Sequence, residues 1–190
     1  TFTSSSSFTV AENQTTGPTI TASDDDGDTL TYSISEGTDA SSFEINSSSG
    51  AITFKSAPDY ETKSSYQLSV RASDGTNIAA QDITVNIGNL NEHAPSLSLN
   101  SPVSVNEGST AVTTATATDA DGDETITFSI FNTGSSCTDN DLFSIGESTG
   151  VITFKSAPDY ENPADSDTDN EYAVCIKASD NGGAAGTYFE

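Results

Sequence analysis

Short acidic motifs occur twice along this chain. Asp59-Tyr60-Glu61 follows a proline, and Asp159-Tyr160-Glu161 does the same 100 positions on. Asp24-Asp25-Asp26-Gly27-Asp28 has its counterpart in Asp119-Ala120-Asp121-Gly122-Asp123. A glutamate stands near the start of each half (Glu12, Glu107) and an aspartate late in each (Asp74, Asp180). Such oxygen-rich motifs suit a hard cation, since calcium takes roughly six to eight oxygens from carboxylates, amides, backbone carbonyls and water. The bland alternative is that the acids serve solubility. Their clustering at segment ends, rather than along one face, favours the cation. Nucleophilic catalysis has little to work with: there is one histidine, His93, and no Ser/His/Asp or Cys/His set. Close carboxylates could imitate a glycosidase pair, but they recur at every segment end, which suits metal better. An enzyme is not expected.

The acids are carried by a repeated unit. Gly50-Ala51-Ile52-Thr53-Phe54-Lys55-Ser56-Ala57-Pro58-Asp59-Tyr60-Glu61 returns almost unchanged as Gly150-Val151-Ile152-Thr153-Phe154-Lys155-Ser156-Ala157-Pro158-Asp159-Tyr160-Glu161. Repeats of about 100 residues are too long for a solenoid turn and suit whole domains in series. Each copy is long enough to close its own core. The formal net charge is −24, against five cations, Lys55, Lys63, Arg71, Lys155 and Lys177. Such a chain repels nucleic acid and anionic membrane, so neither is an expected partner. No apolar run predicts a transmembrane helix. The Ser/Thr-rich opening, with no Met and no visible signal peptide, reads as an internal piece of a longer protein, whose other parts would make any membrane contact.

Period-two alternation supplies the framework. Leu30, Tyr32 and Ile34 alternate with Thr31 and Ser33; Ile126, Phe128 and Ile130 repeat the pattern. Tyr66, Leu68 and Val70 alternate with Gln67, Ser69 and Arg71, and Ile83, Val85 and Ile87 with Thr84 and Asn86. These runs read as strands with one buried face. Asp26-Gly27, Ser49-Gly50, Asp74-Gly75 and Thr149-Gly150 read as turns. No amphipathic helix of three turns is visible. About seven short strands per copy predict two tandem β-sandwiches of immunoglobulin-like build, an all-β chain. The expected divisions are 1–88, a linker at 89–95, and 96–190. Copy two is expected to lack part of its last strand, because only 10 residues follow Asp180.

Tyr172, Val174, Ile176 and Ala178 share one strand face, which sends Cys175 outward with Lys177. A free thiol there would be a liability. A Cys137–Cys175 disulfide is therefore favoured over two reduced thiols, and it implies an oxidising compartment.

Taken together, the motifs resemble those of a pair of cadherin repeats over essentially the whole chain. The family's early Glu maps onto Glu12 and Glu107, and its acid-x-acid pair onto Asp59/Glu61 and Asp159/Glu161. Its DxD motif maps onto Asp24/Asp26 and Asp119/Asp121, and its late Asp onto Asp74 and Asp180. Its acidic linker maps onto Asn89, Asn91, Glu92 and His93. The resemblance implies Greek-key sandwiches and up to three Ca²⁺ bound by Glu12, Asp59, Glu61, Asn89, Asn91, Glu92, the His93 carbonyl, Asp119, Asp121 and Asp180. Asp24, Asp26 and Asp74, and likewise Glu107, Asp159 and Glu161, would be outer half-sites. Asn89 replaces an Asp of the family linker, Glu92 a second Asp, and His93 an Asn. The His93 side chain is expected to be solvated, not a ligand.

The wording Gly-(Ala/Val)-Ile-Thr-Phe…Pro-Asp-Tyr-Glu resembles cadherin-like repeats of bacterial surface proteins more than animal adhesion molecules. The resemblance implies an extracellular or cell-surface adhesion or spacer module, self-associating or binding other surface proteins. Without Trp, strand exchange anchored by that residue is unavailable. A polysaccharide-binding module is the alternative; the same lack of Trp argues against it. The loop of Asp165, Asp167 and Asp169 lacks the Gly and the twelfth-position Glu of an EF-hand and is read as solvated.

Overall fold

The computed structural model describes residues 1–122, 125–131 and 137–180, and the backbone of 188–189. Asp123 of the second acidic motif lies outside them. The chain divides into two compact units, Thr1–Leu90 and Asn91–Glu190. Helix among the described residues is confined to two single 3₁₀ turns, Ala40–Ser42 and Asn140–Leu142.

The first unit contains β1 (Ser7–Ala11), β2 (Thr16–Thr19), β3 (Thr31–Glu36), β4 (Phe43–Ile45), β5 (Ala51–Phe54), β6 (Ser65–Ser73) and β7 (Ile78–Gly88). One sheet has the order β1-β7-β6-β3 and the other β2-β5-β4. β1 runs parallel to β7, while β6 pairs antiparallel with both β7 and β3. Their inward faces bury Ile20, Phe43, Ile52, Phe54, Leu68, Val70, Ile83, Val85 and Ile87 in one core. This is the burial that alternation demands: β7 buries Ile83, Val85 and Ile87 and leaves the residues between them less covered.

The second unit contains β8 (Ser96–Ser98), β9 (Ala111–Thr114), β10 (Thr116–Thr118), β11 (Thr127–Ile130), β12 (Phe143–Ile145), β13 (Val151–Phe154), β14 (Ile176–Ser179) and β15 (Tyr188–Phe189). They form sheets β10-β8, β11-β14-β15 and β12-β13-β9. The repeated segment has the same register in both units: Phe43 opposes Phe54, and Phe143 opposes Phe154. Each pair is met edge-on by a tyrosine, Tyr66 or Tyr172, with Phe–Phe centroids at 4.5 Å and 4.4 Å. Such tilted and edge contacts add to the area each ring buries.

Three details depart from simple alternation. Ser69 is buried because its hydroxyl bonds the Asp82 carboxylate on the neighbouring strand. Cys175 is also buried, not outward: it forms a disulfide with Cys137, with Cα atoms 5.5 Å apart. The residues from Tyr172 to Cys175 are extended in sequence pattern but do not enter a ladder. There, side chains supply acceptors instead. The Ala173 N–H donates to Asp139 Oδ2 at 2.8 Å and the Cys175 N–H to Asn140 Oδ1 at 3.0 Å.

The glycine that opens the repeated segment is required twice. Gly50 and Gly150 have φ of 70° and 66°, and a Cβ on either would strike the carbonyl of Ile20 or Ala115. The close approach carries Ile20 N–H···O Gly50 and Ala115 N–H···O Gly150 bonds, both 2.9 Å. Gly150→Ala is expected to destabilise the second unit by about 2–4 kcal/mol, from positive-φ strain and displaced backbone. A thermal melt unchanged within error would refute this.

Candidate metal centre

In the first unit the candidate residues gather where β1 and β7 end. Glu12 follows β1 and is buried. Its Oε2 accepts the Tyr60 N–H at 2.7 Å and its Oε1 the Leu90 N–H at 2.7 Å. Asp59 accepts the Thr62 N–H and hydroxyl, both at 3.0 Å. Those two bonds, the backbone one first, hold the exposed Asp59 carboxyl below its ordinary pKa. Glu12, Asp59 and Glu61 each bring an oxygen to a group whose members lie within 4.8 Å of one another. Oxygens sharing one calcium can be no further apart than two metal–oxygen bonds, about 4.6–5.2 Å. Asn89 continues the chain from Gly88 at the end of β7.

In the second unit the organising residue is Asp121, 3 % exposed. Its Oδ2 accepts the N–H groups of Glu92 at 3.1 Å and His93 at 2.9 Å. Its Oδ1 lies 2.7 Å from His93 Nδ1. Burial pushes this carboxyl up, but the His93 ring and the two N–H donors outweigh it, and the pKa is lowered. The His93 side chain is therefore not simply solvated: half exposed, it is tied to Asp121. Asp119 accepts the Asp121 N–H through Oδ1, at 2.9 Å. Asp119 Oδ2 and both side-chain polar atoms of Asn91 are buried with no hydrogen-bond partner among the described residues. Buried polar atoms in that condition are rare unless something satisfies them, and a hard cation fits the two oxygens, Asp119 Oδ2 and Asn91 Oδ1, but not the amide nitrogen. Asp180 directly follows β14.

The outer residues behave unequally. Glu107, Asp159 and Glu161 form a cluster within 4.8 Å, and Glu107 accepts the Tyr160 N–H at 3.0 Å. They reproduce the Glu12 arrangement on an exposed surface. Asp24, Asp26 and Asp74 form no such cluster among the described residues, and neither do Asp119, Asp121 and Asp180. Asp24 and Asp74 instead close turns. Asp24 Oδ1 accepts the N–H groups of Asp26 and Asp28. Asp74 accepts three donors, from Thr76 and Asn77. The Asn77 N–H, then its side-chain amide, lead in lowering the Asp74 pKa from an ordinary 3.8 to about 2. A depressed carboxylate pKa contributes stability above the unfolded value, and that contribution is lost as pH falls through the folded one. In calcium-free buffer the NMR titration of Asp74 is expected near 2, rising only part of the way to 3.8 in Asn77→Ala, which removes the side-chain amide and keeps the backbone N–H donors. A wild-type midpoint at the ordinary value would sink this account.

Sequence patterning missed Asp39 and Asp139. Asp139 is buried, and Asp39 Oδ2 accepts the Gln67 N–H as Asp139 Oδ2 accepts that of Ala173. The signal was present, a Thr-Asp followed by Phe at the same spacing in both copies. Patterning also read the Asp165 loop as solvated. The structure agrees for Asp167 and Asp169, which are exposed, and departs at Asp165, which is 5 % exposed.

Comparison with known proteins gives these sites a family. The model of the cadherin domain matches residues 6–88 and 101–188. Human cadherin EGF LAG seven-pass G-type receptor 2 is 34% identical over 171 residues, covering 86% of this chain and 6% of its own length. Human protocadherin Fat 4 is 33% identical over 187 residues, covering 90% and 4%. The chain thus spans a small fraction of these relatives. A solved structure of mouse cadherin-23 EC22-24 superposes with a TM-score of 0.68 at 27% identity, covering 94% of this chain and 58% of that one. One of protocadherin gamma B2 extracellular cadherin domains 3-6 gives 0.70 at 24%, covering 96% and 47%. No helix among the described residues is long and apolar enough to cross a membrane. On this evidence the chain belongs, in both of its repeats, to the cadherin-domain family of adhesion proteins, whose domains are not enzymes.

Proposed function

We propose that this chain is a calcium-stiffened segment of an extracellular adhesion protein. The ions, up to three, would be shared by Glu12, Asp59 and Glu61, by Asn89, Asn91, Glu92 and the His93 carbonyl, and by Asp119, Asp121 and Asp180. The observation that carries this reading is the Glu12/Asp59/Glu61 cluster, three carboxylates within 4.8 Å. It is supported by the chain that follows. Leu90 is held to Glu12, and Glu92, two residues later, to Asp121. Bound calcium neutralises charge: three ions would offset six of the seven carboxylates among these residues. Without it, their mutual repulsion would loosen the linker.

Self-association or binding to another surface protein is the proposed use. The surface protein is read as bacterial from the Gly-(Ala/Val)-Ile-Thr-Phe wording of the repeat; the relatives named above are mammalian. Calorimetric titration of calcium into the EDTA-stripped chain tests the joint. Two or three ions at the linker are expected. Absence of binding at millimolar calcium would overturn the reading and put polysaccharide binding first.

A further inference from the structure

The two repeats differ most between the acid pair and the strand that follows. In the first repeat four residues, Thr62-Lys63-Ser64-Ser65, separate Glu61 from Tyr66. In the second, ten residues, 162–171, separate Glu161 from Tyr172. The short segment places a cation: Lys63 pairs with Asp39 and lies 4.8 Å from the centroid of Tyr66. The long one contains no Lys or Arg and adds Asp165, Asp167, Asp169 and Glu171. Asp139, the counterpart of Asp39, is buried and accepts one N–H from within the insertion, Ser166 at 2.9 Å, and one from just beyond it, Ala173 at 2.8 Å. A lysine in one copy has therefore been replaced in the other by a loop wrapped on acid.

Asp165 is buried, and its Oδ2 accepts the N–H groups of Asp169 at 2.8 Å and Asn170 at 3.3 Å. Its Oδ1 is buried with no hydrogen-bond partner among the described residues. Leaving an ionised oxygen buried and unsatisfied is costly. Asp165, Asp167 and Asp169 each offer an oxygen within 4.8 Å of the others, inside the span of two calcium–oxygen bonds. The loop is further tethered by Ala164 N–H to the Tyr172 hydroxyl and by the Asn170 amide to the Tyr160 carbonyl.

We infer that this insertion is a divalent-cation site of the second repeat, filled by calcium, with Asp165, Asp167 and Asp169 as carboxylate ligands. The site is independent of the linker reading. Its affinity is expected in the range of extracellular calcium modules, about 10⁻⁴–10⁻³ M.

Calcium chloride titrated into the full chain at neutral pH, followed by backbone amide NMR, is the test. Saturable shifts of the Ser166 to Glu171 amides are expected in wild type. Asp167→Asn, which alters an exposed ligand, should remove them and lower the calcium count by one in flow dialysis. The Glu92 and His93 amides should keep their response. Wild-type amides of Ser166 to Glu171 that stay unmoved up to roughly ten times 10⁻³ M calcium would overturn the site, as would an unchanged count in Asp167→Asn. Because the first outcome needs no variant, the inference stays testable even where a substitution disturbs folding.

Discussion

Asp121→Ala is expected to weaken the proposed linker calcium binding by about 100-fold or more and, in small-angle scattering, to abolish the calcium-dependent stiffening that the proposal predicts. A residue that merely orients a metal ligand is worth roughly 10–100-fold, and Asp121 does more than that. It is a buried carboxylate that fixes the backbone of Glu92 and His93 while offering its own charge. Truncation leaves both N–H groups and the His93 ring without their acceptor, a further loss of about 1–3 kcal/mol from the second unit. Asp121→Asn separates the two roles. It keeps a carbonyl oxygen for the N–H donors and loses the charge, so the stability loss should shrink while the calcium defect persists. Calorimetry on both variants, with thermal melts in EDTA, reads the two effects apart. Calcium affinity unchanged in Asp121→Ala would exclude this residue from the joint, whatever happens to stability.

Removing the disulfide is the other large perturbation. Cys137 and Cys175 close a loop with a sequence separation of 38. In the chain-entropy model that cross-link stabilises the folded state by about 4 kcal/mol. For a unit of this size the loss corresponds to a fall in Tm of about 15 °C or more. Only the second unit should respond, since the first contains no cysteine. The Cys137→Ser/Cys175→Ser double variant should therefore split the melt, with the early transition belonging to the second unit. Tryptic digestion at Lys155 and Lys177 before cleavage at Lys63 and Arg71 would identify it. The bond also pins the segment in which Asp139 and Asn140 take the N–H groups of Ala173 and Cys175. Loss of these contacts with the disulfide would make the shift larger still. A single transition at the wild-type temperature would show that packing of Phe143, Phe154 and Tyr172 suffices without the cross-link.

The sandwich class and the two-copy organisation were legible in the residues because they rest on local, periodic information. Tyr66, Leu68 and Val70, or Ile83, Val85 and Ile87, must share a face in any extended chain. The recurrence of Gly50–Glu61 as 150–161 carries its register with it, and the Phe43/Phe54 and Phe143/Phe154 pairs are the outcome. The acid motifs were equally plain, being contiguous. What patterning could not supply was which donors each acid meets. Glu12 reaches Leu90 across 78 positions, and Asp121 reaches Glu92 across 29. Asp24 and Asp74 share motifs with the acids proposed for the linker yet spend their oxygens on their own turns.

Sequence alone thus determined the alternating strands, the doubled domain and the supply of carboxylates, since each follows from residue type and short-range spacing. The tertiary structure alone decided the burial of Ser69, Cys175 and Asp165, the seating of His93 on Asp121, and the use of Asp139 in place of a strand ladder. Those depend on partners distant in the chain, and a carboxylate's chemistry is set by the donors, charges and solvent that folding brings to it.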